Sequence, residues 1–313
     1  MLRFAFKPRH PVTKVAFTAD GRELVTAQPF TGIAVRSVLS GDARWIYPTS
    51  TVATFLTLAV EQRDGLIAGQ TERGALLVDP RAGCAVSPHP RPDVSVATER
   101  FRLQWHDIGS NLHRLVAGRA PFESRSRGVR VAMSTVPRAL LYLSDGGQPQ
   151  LTCPRTGYTL VKLNSPVRLR HIVSGRIVIA FSPDGNKLVL GDGESLRVFG
   201  YADCEPRFCE TDAQRPLIHP LFTLERPDPT THGTFADKQA EHWLPPVAFD
   251  HAGRTLFTLG LRNRVQRIDL ATGGVICGWG WRCEPIRSLA VAPDDLTAAA
   301  GCQRGEVVLW DLE

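Results

Sequence analysis

Val15-Ala16-Phe17-Thr18-Ala19-Asp20-Gly21 returns as Ile179-Ala180-Phe181-Ser182-Pro183-Asp184-Gly185, then as Val247-Ala248-Phe249-Asp250-His251-Ala252-Gly253. A worn copy follows as Leu289-Ala290-Val291-Ala292-Pro293-Asp294-Asp295. Each reads as a short apolar strand running into a tight turn, because Asp bonds nearby backbone and Gly tolerates a positive φ. Phe17 and Phe181 lie 164 residues apart, four steps of 41, and Phe249 and Val291 lie 42 apart. Weaker copies fall between them: Leu58-Ala59-Val60 with Asp64-Gly65, and Val131-Ala132-Met133-Ser134 with Val136-Pro137-Arg138. Val94-Ser95-Val96 is the remaining candidate. A strand-and-turn phrase at this period is the mark of a β-propeller. The expected fold is all-β, with seven blades of four antiparallel strands. Six blades is the alternative, if residues 88–128 form an insertion and not a short blade.

The rest of each unit fits a meander. A second apolar run follows each turn, as in Glu23 to Ala27, Lys187 to Leu190 and Thr255 to Leu259. A third ends in a Gly-bearing turn, as in Ala75-Leu76-Leu77-Val78-Asp79-Pro80-Arg81-Ala82-Gly83 and Gln266-Arg267-Ile268-Asp269-Leu270-Ala271-Thr272-Gly273. Tyr158 to Leu163 illustrates the fourth. One small sheet cannot cover both of its faces, but sheets packed in a ring can. Leu2-Arg3-Phe4-Ala5-Phe6 alternates as a strand should, and the last unit lacks a fourth strand. Pairing the two closes the ring and hides two edges. The expectation is one domain over residues 1–313.

With these units in place, the chain resembles the WD40 repeat family, in a divergent, bacterial-type form. Val307-Val308-Leu309-Trp310-Asp311-Leu312 matches that family's third strand with its Trp-Asp dipeptide, and Phe181-Ser182-Pro183-Asp184-Gly185 matches its turn. The resemblance spans nearly the whole chain and is weakest over residues 88–128. Blades of the family often hold a buried hydrogen-bonded set of His, Ser/Thr, Asp and Trp. No blade here has all four: His10 and His242 stand at the His position, without Trp on the corresponding third strands. The resemblance implies docking of a protein or peptide on an axial face, with no catalysis.

Composition agrees with a single body. The chain has 313 residues, 43% of them hydrophobic, enough for a large core. No apolar run approaches 18 residues, so no membrane span is expected, and the first residues do not read as a secretion signal. A cytoplasmic location follows as the expectation. The net charge is +6, but only five of the 37 basic residues are Lys (Lys7, Lys14, Lys162, Lys187 and Lys238). The densest basic stretch is Arg114, Arg119, Arg125, Arg127 and Arg130. Phosphate contacts are one reading of it. A solvated loop is favoured, because no aromatic residues interleave to stack bases.

Cys204/Cys209 and Cys277/Cys283 form two pairs whose spacing exceeds the usual zinc gap. Free thiols are the leading reading, with a disulfide second and zinc third; Cys84, Cys153 and Cys302 read as small strand residues. Residues 202–244 form a Pro-rich insertion around Leu221-Phe222-Thr223-Leu224, the expected outer strand of the fifth blade. Its His219, His232 and His242 have no metal spacing. Gly191-Asp192-Gly193-Glu194 reads as a hairpin turn, with no helix to hold a phosphate. Asp20, Asp64, Asp184 and Asp294 read as turn punctuation and not as acid/base pairs. Trp279 and Trp281 point to one side of a strand. They are core residues or, with Arg262, Arg264 and Arg282 as a cationic rim, an interaction surface. No catalytic, cofactor or metal residues are expected. The leading function is a protein- or peptide-binding scaffold. A ligand-binding or enzymatic propeller using the central channel is the alternative, and a nucleic-acid platform the third.

Overall fold

The computed structural model describes residues 2–6, 10–29, 31–48, 55–60, 67–71, 74–81, 84–88, 102–103, 115–116, 128–133, 140–144, 148–152, 159–165, 167, 178–192, 194–204, 216–225, 245–260, 263–281 and 285–313. For residues 2–6 and for much of 55–163 the description is of backbone alone. Val94-Ser95-Val96, Asp64, Arg262, Arg282, Cys153, Cys209, Cys283, His232, His242 and most of the Arg114–Arg127 stretch lie outside the described residues.

The described residues contain strands and no α-helix. In chain order these begin with β1 (Leu2–Phe6), β2 (Lys14–Phe17), β3 (Glu23–Gln28), β4 (Gly32–Ser37) and β5 (Ala43–Tyr47). Then come β6 (Phe55–Val60), β7 (Ile67–Thr71), β8 (Gly74–Asp79), β9 (Cys84–Pro88), β10 (Arg102–Leu103) and β11 (Leu115–Val116). The middle holds β12 (Gly128–Met133), β13 (Leu140–Ser144), β14 (Gln150–Thr152), β15 (Thr159–Leu163), β16 (Val178–Phe181), β17 (Lys187–Gly191) and β18 (Ser195–Gly200). The rest are β19 (Leu217–Ile218), β20 (Phe222–Glu225), β21 (Ala248–Phe249), β22 (Thr255–Leu259), β23 (Val265–Asp269), β24 (Val275–Trp279), β25 (Ile286–Val291), β26 (Thr297–Cys302) and β27 (Val307–Asp311).

These form meanders β2–β5, β6–β9 and β21–β24, the sheet β16-β17-β18-β20, and the sheet β12–β15 extended by β19. A two-stranded ribbon joins β10 to β11, and the final sheet has the order β1-β27-β26-β25. In that sheet β1 runs antiparallel to β27, with Phe4 opposite Leu309 and Phe6 opposite Val307. The strands group into two compact units, residues 1–91 with 246–313, and residues 92–245.

In the first unit the opening strands of successive sheets lie side by side: β21 against β25, β25 against β2, β2 against β6. The final sheet shows why this packing holds. Val307 and Leu309 point to one face and meet Val12, Val15, Phe17 and Leu24. Val308 and Trp310 point to the other and meet Phe257, Val265 and Ile286. Both faces are therefore core, and each large side chain so buried contributes on the order of 2 kcal/mol. The middle strand β26 is squeezed from both sides, which suits its run of Ala, Gly and Cys. At Gly301 a methyl would sit 2.7 Å from Val12 Cγ1 and from Ser288 Oγ, so no side chain fits there.

In the second unit, Leu141, Leu151, Leu163, Leu188, Leu190 and Phe199 form one core between the sheets of β12 and β16. The Pro-rich stretch contributes to both sheets. Leu217–Ile218 runs parallel to β15, while Phe222–Glu225 is the outer strand beside β18. Asn164 Nδ2 and His219 Nδ1 lie 3.0 Å apart at this crossing.

Candidate functional site

The recurring turn is a self-contained hydrogen-bond knot. In the first copy Thr18 Oγ1 donates to Asp20 at 2.6 Å and accepts from Glu23 N–H at 3.1 Å. Asp20 also accepts from Arg22 N–H, and Gly21 closes the turn at φ 68°. Ser182, Asp184 and Gly185 repeat each contact, with Asn186 adding its side chain to Asp184. In the third copy Asp250 stands at the hydroxyl position. It is buried and accepts from Arg254 N–H, Thr255 N–H and Thr255 Oγ1 at 2.7–2.9 Å. The fourth has Ala292 there and keeps only the Leu296 N–H to Asp294 bond, with Asp295 at φ 58° in the Gly position.

The first, third and fourth of these turns share one end of the first unit's sheets, and the second joins β16 to β17 in the second unit. Asp295 accepts from His251 and Ala252 N–H, 2.5 and 3.2 Å away, and Pro293 lies against Gly21. Asp269, the last residue of β23, accepts from Ala271 and Thr272 N–H. Hydrogen bonds keep several of these acids ionised. That from Thr18 lowers Asp20, and those from Thr272 and Ala271 lower Asp269. At Asp184 burial pushes the other way, but Ser182, Asn186 and nearby Lys187 together hold it low. A carboxylate aimed at its own turn's N–H groups, with a lowered pKa, is a poor proton donor to a substrate. Between β17 and β18, Asp192 likewise accepts from Glu194 and Ser195 N–H, while Gly193 lies outside the described residues.

The opposite, hairpin end carries the aromatic residues singled out in the sequence. Trp279 and Trp281 are half-buried on one side. The Trp281 ring lies 4.6 Å from that of buried Trp310, and Trp279 lies 5.9 Å from Trp310 and 6.1 Å from Phe257. They are thus both a margin of the core and a partly open surface. Glycines set that geometry: a Cβ at Gly280 would meet Arg264 Cγ at 3.2 Å, and exposed Arg264 donates to Gly278 O at 3.2 Å. Beside them Cys277 has its thiol pKa raised by burial, against the pull of Arg267, which makes it a weak nucleophile. Trp310 Nε1 is buried with no acceptor among the described residues, and Ala298 is its neighbour across the ladder. Cys204, Cys277 and Cys302 form no disulfide with one another. Among the described residues no three His, Cys, Asp or Glu side chains gather to hold a metal, and no helix is long and apolar enough to cross a membrane.

Sequence reading passed over three residues at this end: Lys14, Arg287 and Arg304. Arg287 bonds Gln303 through both Nε and Nη2. Lys14 is half-buried, and burial holds its ammonium below the usual lysine range. The available signal was the rarity of Lys in a chain that otherwise prefers Arg.

No protein-family model matches the sequence, and no curated protein does. Among solved structures the chain is similar to the β-propeller domain of Cps50 (Swd1) from Myceliophteria thermophila, at 12% identity and a TM-score of 0.67. The likeness covers 100% of this chain and 99% of that one. At this identity it establishes architecture alone: the fold is a β-propeller.

Proposed function

We propose that the chain is a seven-bladed, WD40-type propeller serving as a non-catalytic platform for a protein or peptide partner. The propeller likeness supports the architecture. Six sheets of four or five strands and the β10–β11 ribbon support a count of seven, and the pairing of β1 with β27 supports closure. Removing residues 1–7 is expected to leave β27 with an open edge and to abolish the soluble folded state. A truncated chain that unfolds like the parent would sink closure.

The observation that carries the platform reading is the half-open Trp279–Trp281 pair braced on Trp310, with Arg264 at its rim. Rigid aromatics on a rigid sheet lose little entropy on binding. The carboxylates of Asp20, Asp184, Asp250 and Asp269, by contrast, are engaged within their own turns. Affinity capture from the native cell with two baits, the parent and Trp281→Asp/Arg264→Glu, is the test. A partner held by the parent and released by the variant is expected. Equal recovery on both baits removes this surface from the reading. Turnover of a metabolite panel with no recovered partner would favour the channel enzyme instead.

A further inference from the structure

The hairpin end joins three neighbouring sheets. Asn263, at φ 56°, accepts from Ile286 N–H at 3.2 Å, which sets Arg264 near Arg287. Arg287 reaches Gln303, the neighbour of exposed Arg304. Val12 N–H donates to Cys302 O at 3.1 Å, which brings the start of β2 and Lys14 alongside. Four cations thus line one end. Among the described residues there, the single carboxylate is Glu306, whereas the turn end carries Asp20, Asp42, Asp250, Asp269, Asp294 and Asp295.

Lys14 differs from the arginines. Val15 and Phe17 face the final sheet, so the alternation of β2 turns Lys14 the other way. Its register partner is Ala27, a member of the apolar cluster of Val25, Ile33, Val35, Ile67 and Val78. No hydrogen bond, ion pair or ring engages its ammonium among the described residues. A half-buried cation in this setting disfavours folding unless an anion reaches it. The lowered affinity of Lys14 for its proton agrees with that isolation.

Resting on the platform reading, we propose that this end receives an acidic peptide segment. Its carboxylates pair with Arg264, Arg287 and Arg304, and one reaches Lys14. Guanidinium forks suit carboxylates at the rim, while the slim lysine suits a single inserted acid. Half-exposed Trp281 offers the segment an apolar shoulder.

The test uses the full chain and a fluorescein-labelled octaglutamate peptide, followed by anisotropy at low salt. Saturable, salt-sensitive binding is expected, weakened at least ~10-fold by Arg264→Glu/Arg287→Glu/Arg304→Glu. Lys14→Met should weaken it several-fold while its denaturation midpoint stays at or above that of the parent, which separates lost contact from lost fold. Acylation of Lys14 by an amine-reactive ester, read by mass spectrometry, should slow when the peptide is bound. Absence of octaglutamate binding, indifference to all four substitutions, or equal affinity for octaglutamate and a short DNA duplex would each overturn the proposal. If octaglutamate fails while the captured partner still depends on Trp281, the acidic assignment falls alone. If both fail, the platform reading falls with it.

Discussion

At the turn end, Asp250 holds Arg254 N–H, Thr255 N–H and Thr255 Oγ1 with a single buried carboxylate. At the hairpin end, Lys14 has no such partner among the described residues. One end repeats the same knot with small variations and consumes its polar groups internally. The other carries side chains that differ from sheet to sheet and leaves charge facing outward. In a repeat protein, what recurs reports folding; what fails to recur is where a partner is to be sought.

The contrast breaks first at Asp250. Asp250→Ala strands three donors and should cost about 2–4 kcal/mol by denaturant unfolding, with octaglutamate binding unchanged. Asp250→Ser, which installs the residue type of the other turns, should recover at least half. If Asp250→Ala also abolishes binding without unfolding, the two ends are not independent. Next, Ser182→Ala should destabilise by about 1 kcal/mol, and Ala292→Ser should stabilise by about 0.5 kcal/mol, because Ala292 occupies the hydroxyl position of the same knot. A destabilised Ala292→Ser would mean the fourth turn is built differently.

Lys14→Met sharpens the other side. Removing a half-buried, unpaired cation should raise stability by about 0.5–1 kcal/mol in the absence of peptide. The gain should shrink as pH rises, since the lowered folded pKa of Lys14 makes the parent itself more stable at high pH. The smallest effect is acidic. Asp20 and Asp184 keep their charge to lower pH folded than unfolded. Their contribution is complete at neutral pH and is lost as pH falls below the ordinary carboxylate range. Asp20 is exposed and Asp184 only half-buried, so Asp184→Asn should flatten that slope by only a few tenths of a kcal/mol, about the size of a surface pair. A parent and variant with parallel pH profiles would remove Asp184 from the account.

The turns were legible because Asp-Gly at the end of an apolar run has few other uses. Phe17-Thr18 and Phe181-Ser182 announced the strand ends to within a residue. Asp250 was less legible: its copy has no Asp directly before Gly253, and Asp250 does from one position what Ser182 and Asp184 do from two. β19 left no signal, since a pair such as Leu217-Ile218 inside a Pro-rich stretch acquires its strand character only from the partner β15. Trp279 and Trp281 were visible as a pair, and their half-buried state needed Trp310 and Gly280 in place. Lys14 sat in plain view at the start of the opening repeat, but its isolation is a property of neighbours distant in sequence.

The crossing of the Pro-rich stretch has a mechanical consequence. Lys162 N–H donates to Pro216 O and Asn164 N–H to Ile218 O, while Leu221 N–H donates to Val198 O. A few residues therefore act as a rivet through two plates: prising either sheet outward tugs on its neighbour through a short, proline-stiffened tether. Under load or mild heating those plates should let go together, and their amides should exchange deuterium with one shared protection rather than two.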